Sequence, residues 1–155
     1  GAACAIDAAG APVAPYAPPP GGSADPLLDR ALARLEALLE GAGAEAGAVQ
    51  APVSFRVAPQ VLAHLERALE RLAASVDRAL AASDDSPAFR DGAFVSTGGF
   101  HAIDLAADMD ALGAALVRAA ELSAQRAHRL LDGRVTGLPD QLTPVPGPRC
   151  GMVVA

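Results

Sequence analysis

The sequence predicts a mostly α protein, built from long helices of a helical bundle with one short β-hairpin and Pro-rich loops. Three observations predict it. Leucines recur at four-three-four spacing in separate segments, which places them on one stripe of a helix. Proline and glycine collect between those segments and punctuate them. A single Asp-Gly pair stands between two short apolar runs, the pattern of a tight hairpin.

Taken in order, residues 1–24 read as a Pro/Gly-rich loop or linker and residues 25–155 as a helical segment. In the first stretch Pro12, Pro15, Pro18, Pro19 and Pro20 precede Gly21 and Gly22, and proline lacks the amide donor a helix needs. Asp25 followed by Pro26 is a helix start, an acceptor at the cap and then a residue with its φ already set. From there Leu28, Leu32, Leu35 and Leu39 form a stripe that stops at Gly41. Pro59 opens a second helix whose stripe runs through Leu62, Leu65, Leu69, Leu72, Val76 and Leu80, with Glu66, Arg67, Glu70 and Arg71 on the outer side. So narrow and sustained a stripe resembles a bundle or coiled-coil seam. Ser83 to Pro87 break that helix. Asp91-Gly92 then turns a hairpin between Phe89 and Phe94. A third long helix follows Gly98-Gly99, carries Leu105, Met109, Leu112 and Leu116 on its stripe, and ends at Asp132-Gly133 before a proline-rich tail.

Composition removes several classes of function. The 155 residues are 52% hydrophobic and only 3% aromatic, so leucine, valine and alanine must supply most of the packing. The net charge is -6, every basic residue is arginine, and no basic stripe is interleaved with aromatics, which argues against nucleic-acid binding and against anionic membranes. No apolar run reaches the ~20 residues of a membrane-spanning helix. The first residues lack the basic and long apolar regions of a signal peptide, so a cytoplasmic location is expected. Cys4 and Cys150 show no metal-ligand spacing and read as reduced thiols.

Candidate chemistry is sparse. His64 sits among helix leucines, and His128 lies near a helix end, where a positive charge favours the dipole. His101 follows a glycine pair at a helix start, where free amides can meet an anion. Ser96, His101 and Asp104 can be drawn as a triad, but no strand-turn-helix elbow presents the serine. Asp84-Asp85 reads as a turn, and Asp108 with Asp110 as helix surface. Arg56 stands out, because it follows Pro52 in a stretch expected to be extended just before a long helix. A planar guanidinium there can grip a carboxylate with two parallel hydrogen bonds, and a salt bridge to another helix is an equal reading.

Five segments, taken together and in order, resemble the aromatic amino acid ammonia-lyases and aminomutases, with histidine ammonia-lyase as the nearest pattern. They are QAPVSFRVAPQV, SDDSPAF, STGGFHAIDLA, RAHRLLDGRVTGLP and RCGMVVA. The resemblance covers residues 50–155 well and the leucine helix before them loosely. It implies a nearly all-helical protein that assembles as a homotetramer around a long bundle and eliminates ammonia from histidine or an aromatic amino acid to leave an unsaturated acid. It also implies an electrophile, methylidene-imidazolone (MIO), made by cyclisation of an internal Ala-Ser-Gly, with no metal or diffusible cofactor.

Residue by residue, the family's Gln-Asp-x-Tyr-Ser-x-Arg is met by Gln50, Ser54 and Arg56, with Arg56 implied to bind the substrate carboxylate. Its Ser-Gly-Gly-Asn-Phe-His element is met by Ser96, Gly98, Phe100 and His101, with Phe100 implied to line the site. Arg56, Gln50 and Phe100 are therefore the substrate-binding candidates, and no catalytic residue is assigned. The departures are Ala51 at the Asp position, Val53 at the Tyr position and Gly99 at the Asn position. No Ala-Ser-Gly occurs between residues 1 and 155, so the chain alone is expected to hold no cofactor and to be inactive. Three readings follow: part of a lyase whose electrophile lies elsewhere, one chain of a split lyase, or a non-catalytic helical assembly module.

Overall fold

The computed structural model describes Tyr16 and residues 19–40, 52–82 and 85–143. Gly41, Gln50, Ala51, Ser83, Asp84, both cysteines and the last twelve residues, 144–155, fall outside the described residues. The described chain is mostly α, as the leucine stripes predict. It comprises α1 (Pro26–Leu38), a single turn α2 (Val53–Arg56), α3 (Ala58–Ala81), strands β1 (Ala88–Arg90) and β2 (Ala93–Val95), α4 (Ile103–Leu130), a short α5 (Gly133–Thr136) and a 3-10 turn (Asp140–Leu142). It divides into two compact units, residues 1–63 with 118–155, and residues 64–117, and both long helices contribute to each.

In the first unit, α1 starts as its sequence dictates. The Asp25 carboxylate accepts from the Leu27 amide at 3.1 Å and the Leu28 amide at 3.5 Å, and Pro26 occupies the first turn, where no amide donor is missed. Asp29 in that turn faces the positive end of the helix dipole. Asp25→Ala should cost about 1 kcal/mol. An unchanged urea midpoint would mean that the cap contributes nothing. The buried face of α1 is Leu27, Ala31, Leu32 and Leu35, continued by Leu39 in the following turn, whereas Leu28 is only partly covered. Leu27 and Ala31 pack with Ala63 of α3, where small side chains allow close approach.

Two short elements were not expected. Residues 53–56, expected to be extended, form a helical turn, in which the Phe55 and Arg56 amides both donate to the Pro52 carbonyl at 3.0 and 3.3 Å. The proline restricts the residue before it but leaves those after it free to coil. Past α4, Asp132 caps α5 through the Arg134 amide at 3.0 Å and also takes the Arg134 side chain at 2.9 and 2.8 Å. These bonds hold its carboxyl down to about 2. Gly133 is required by space. A β-carbon there would come 2.5 Å from the Leu138 carbonyl oxygen and 2.9 Å from the Asp140 carboxylate, which accepts from the Gly133 amide. Gly133→Ala should therefore destabilise by roughly 1–3 kcal/mol. A melting temperature equal to wild type would contradict that packing.

The second unit holds the hairpin. Ala88 pairs with Val95, Phe89 with Phe94 and Arg90 with Ala93. Asp91 and Gly92 have φ of 51° and 84°, the two left-handed residues that match the twist of a two-residue hairpin. The Phe89 and Phe94 rings meet edge to face at 5.2 Å. Behind the hairpin, the Thr97 amide donates to the Ser86 hydroxyl at 3.2 Å and its own hydroxyl donates to the Asp85 carbonyl at 3.1 Å.

The stripes of α3 and α4 are turned from the expected phase. On α3 the buried residues of this unit are Ala68 and Ser75, with Leu65 and Leu72 of the expected stripe half-buried, while Leu69, Val76 and Leu80 are exposed. On α4 Asp108 and Ala115 are buried and Leu105 and Leu112 of the expected stripe half-buried, while Met109 and Leu116 are exposed. Asp108, expected on the helix surface, is thus a correction. It accepts the Ser75 hydroxyl, and Arg71 lies 2.9 Å away. Ser75 is in turn held by Arg78 at 2.7 Å. The Ser75 hydrogen bond, with Arg71 beside it, keeps the Asp108 carboxyl below its usual range.

Candidate functional site

Arg56 belongs to the first unit and stands at the end of α2. The turn is anchored by Phe55, which is fully buried, while Val53 is exposed and Arg56 half-buried. An aromatic side chain locked in the core fixes the direction of its neighbours on so short a turn, and so fixes Arg56. Ser54 on the same turn is half-buried, with a hydroxyl shielded from water and without a hydrogen-bond partner among the described residues.

A tyrosine and a second arginine join this neighbourhood. Tyr16 is fully buried, and its hydroxyl has no hydrogen-bond partner among the described residues. Burial pushes its pKa up to about 12, against the opposing pull of the Arg126 and Arg56 charges. Arg126, on α4, donates through one terminal nitrogen to the Ser123 hydroxyl at 3.2 Å, while the other, Nη1, is buried without a partner among the described residues. Burial lowers the Arg126 pKa, and the Tyr16 phenol opposes that. Tyr16, Ser54, Arg56 and Arg126 all belong to the first unit, and the charges of both arginines act on the Tyr16 phenol.

Sequence reasoning named Ser54 and Arg56 and missed Tyr16 and Arg126. A signal for Arg126 existed. It follows Ala115, Ala119 and Leu122 at four-three-four spacing, so an arginine occupies a position on the helix face that otherwise carries small and apolar residues. Tyr16 gave no such signal, being surrounded by prolines that suggest only a loop.

Phe100 and His101 belong to the second unit. Both are exposed, on a turn closed by the His101 amide donating to the Gly98 carbonyl at 3.1 Å. Ser96 and Asp104 are exposed as well, which leaves the drawn triad with no shielded nucleophile. Gln50 lies outside the described residues. Among the described residues, no group of three or more His, Cys, Asp or Glu side chains could hold a metal ion, and no helix is long and apolar enough to cross a membrane.

Comparison with known proteins places this mostly helical chain in a family. The sequence profile described as "Aromatic amino acid lyase" matches residues 24–155. The chain belongs to the aromatic amino acid lyase family. It is 36% identical over 108 residues to histidine ammonia-lyase of Geobacillus thermodenitrificans (strain NG80-2), a match covering 68% of this chain and 21% of that protein. It is 30% identical over 107 residues to histidine ammonia-lyase of Streptococcus pyogenes serotype M18 (strain MGAS8232), with the same coverage. Its fold is similar to that of ergothionase from Treponema denticola, an ergothioneine-degrading enzyme solved with desmethyl-ergothioneine sulfonic acid. The TM-score is 0.78 at 20% identity, over 93% of this chain and 30% of that one. The chain therefore spans about a fifth of the length of these curated relatives.

Proposed function

We propose that this chain is part of an ammonia-lyase-like protein that eliminates ammonia from histidine or an aromatic amino acid to give an unsaturated acid, and that Arg56 binds the substrate carboxylate. One observation carries the reading. Arg56 sits on a turn pinned by the buried Phe55, at the position where the family pattern has its carboxylate-binding arginine. The matches to two histidine ammonia-lyases support the amino-acid substrate class.

In this reading the chain supplies binding and assembly, and the electrophile comes from elsewhere. No Ala-Ser-Gly lies within residues 1–155, so the residues present do not form the methylidene-imidazolone. Val53 at the family's Tyr position offers no hydroxyl for proton transfer. A general acid or base therefore has to come from another residue. Gln50 and Phe100 are proposed as substrate-binding residues on the family resemblance alone.

Assembly as a homotetramer or with the rest of the lyase is part of the same proposal. Leu62, Leu69, Val76 and Leu80 form an apolar edge along α3 that stays exposed in the single chain, with Leu80 at 81%. Leucines repeated at such spacing are suited to covering by further helices. The same edge favours a second reading, a non-catalytic assembly module, which Val53 and Gly99 would suit. Ammonia release by the protein that contains this chain separates the two.

Arg56→Ala in that protein is expected to raise KM for the amino acid by roughly tenfold or more, because a charge-assisted pair is lost. Arg56→Lys should recover only part of it, since an ammonium cannot make both parallel hydrogen bonds. Unchanged kinetics in both variants would remove Arg56 from the site.

A further inference from the structure

Asp108 is a carboxylate buried in the second unit, where alanine and leucine supply most of the packing. Burying a charge is costly unless partners are provided. α3 provides them from one face. The Ser75 hydroxyl donates to one carboxylate oxygen, and Arg71, one turn earlier, lies 2.9 Å from the other. Arg78 donates to the Ser75 oxygen at 2.7 Å, which leaves the hydroxyl hydrogen for Asp108. Arg71, Ser75 and Arg78 stand at four-three spacing and so share a face of the helix.

The apolar residues cannot fix how far α4 is slid along α3. Leu62 and Leu65 recur as Leu69 and Leu72 one heptad on, so a slip by a heptad presents the same apolar pattern again. The polar residues do not recur in this way. Ser75 is the sole hydroxyl within Ala58–Ala81, and the positions one heptad to either side of it are Ala68 and Ala82. On α4 the position one heptad past Asp108 is Ala115. A slip by a heptad therefore brings Asp108 to an alanine and takes its hydroxyl partner away.

We infer that Ser75 and Asp108, braced by Arg71 and Arg78, form a register lock that admits one alignment of α4 with α3 in the second unit. A single buried polar contact in an apolar seam selects an alignment at a cost in stability. The Phe100–His101 turn leads directly into α4, so the lock also fixes where that turn stands along α3. The role is conformational, and it holds whether or not the protein releases ammonia.

Pulsed electron paramagnetic resonance reads the alignment directly. Spin labels go on Ala81→Cys and Ala114→Cys, both exposed, in the full chain carrying Cys4→Ser and Cys150→Ser. Dilution with unlabelled chain confines the signal to pairs within one molecule. With Ser75 and Asp108 in place, one narrow distance is expected. Ser75→Ala with Asp108→Ala removes both polar partners and leaves two good helix formers. That double variant should keep its helical circular dichroism and lose the single distance, gaining a second one displaced by up to about 10 Å, the rise of a heptad. A contact that only stabilises would lower the melting temperature of the double variant and leave its distance unchanged, and that result would overturn the lock. A broad distribution with Ser75 and Asp108 in place would overturn it as well. If the double variant does not fold, Ser75→Ala alone, which removes one oxygen, carries the test. A broadened or second distance is expected there, and an unchanged narrow one would overturn the inference.

Discussion

Phe55→Ala is expected to lower the free energy of unfolding by about 3–5 kcal/mol. The phenyl ring is fully buried in the first unit, in a chain with few aromatics to share the packing. Removing it forfeits the transfer free energy of the ring and leaves a cavity that a four-residue turn, already bonded to Pro52, cannot collapse to fill. A domain is stable by only about 5–15 kcal/mol, so the loss is a large part of the total. The urea midpoint should fall sharply at a nearly constant slope. Arg56 follows Phe55 directly, so loosening the turn should also weaken the carboxylate binding proposed for it. A loss below about 1 kcal/mol would show that Phe55 does not anchor the turn.

Asp108→Asn should have the second largest effect, and its size should depend on pH. The Asp108 carboxyl is held below its unfolded value of 3.8, first by the Ser75 hydroxyl and then by Arg71. A group with a depressed folded pKa adds stability that is fully present above the unfolded value and is lost as pH falls through the folded one. Wild type should therefore melt several degrees higher than the variant at neutral pH, and the gap should close as pH drops below about 4. Arg71 is largely exposed, at 67%, so its charge is screened and high salt should narrow the gap only slightly. A gap that stays constant across the acid range would assign the effect to packing and not to the charge.

Much of this fold is legible in the residues, and the failures have a common cause. Asp25-Pro26 announces α1, and Asp91-Gly92 with its flanking phenylalanines announces the hairpin in its observed register, because both signals are local and act through the backbone. The phase of the long helices is not local. Counting leucines places Met109 and Leu116 inward, yet Asp108 and Ala115 are the buried residues there, and Ala68 and Ser75 are the covered ones on α3. In an alanine-rich chain the closest helix approaches are made where side chains are small. The leucines then line the edges of the approach, and a hydropathy count reads their direction one position off.

The candidate site divides the same way. Arg56 could be found because a guanidinium after a proline, just ahead of a long helix, is unusual, and because the family pattern carries an arginine at that place. Its immediate support was hidden. A stretch with Pro52 and two β-branched or aromatic neighbours suggests an extended strand, and the helical turn appears only once Phe55 has a core to enter. Tyr16 and Arg126 are more than a hundred residues apart in the chain, and nothing local links them. Only tertiary structure places both charges on one phenol.

The central claim is tested most directly by measuring ammonia released from histidine, phenylalanine and tyrosine by the purified protein that contains this chain, alongside the unsaturated acid formed. Ammonia and unsaturated acid in equal amounts from at least one of these amino acids, with Arg56→Ala needing far more substrate, is the predicted result. A folded protein that releases no ammonia from any of them would contradict the claim and leave a helical module of the lyase family that assembles without the chemistry.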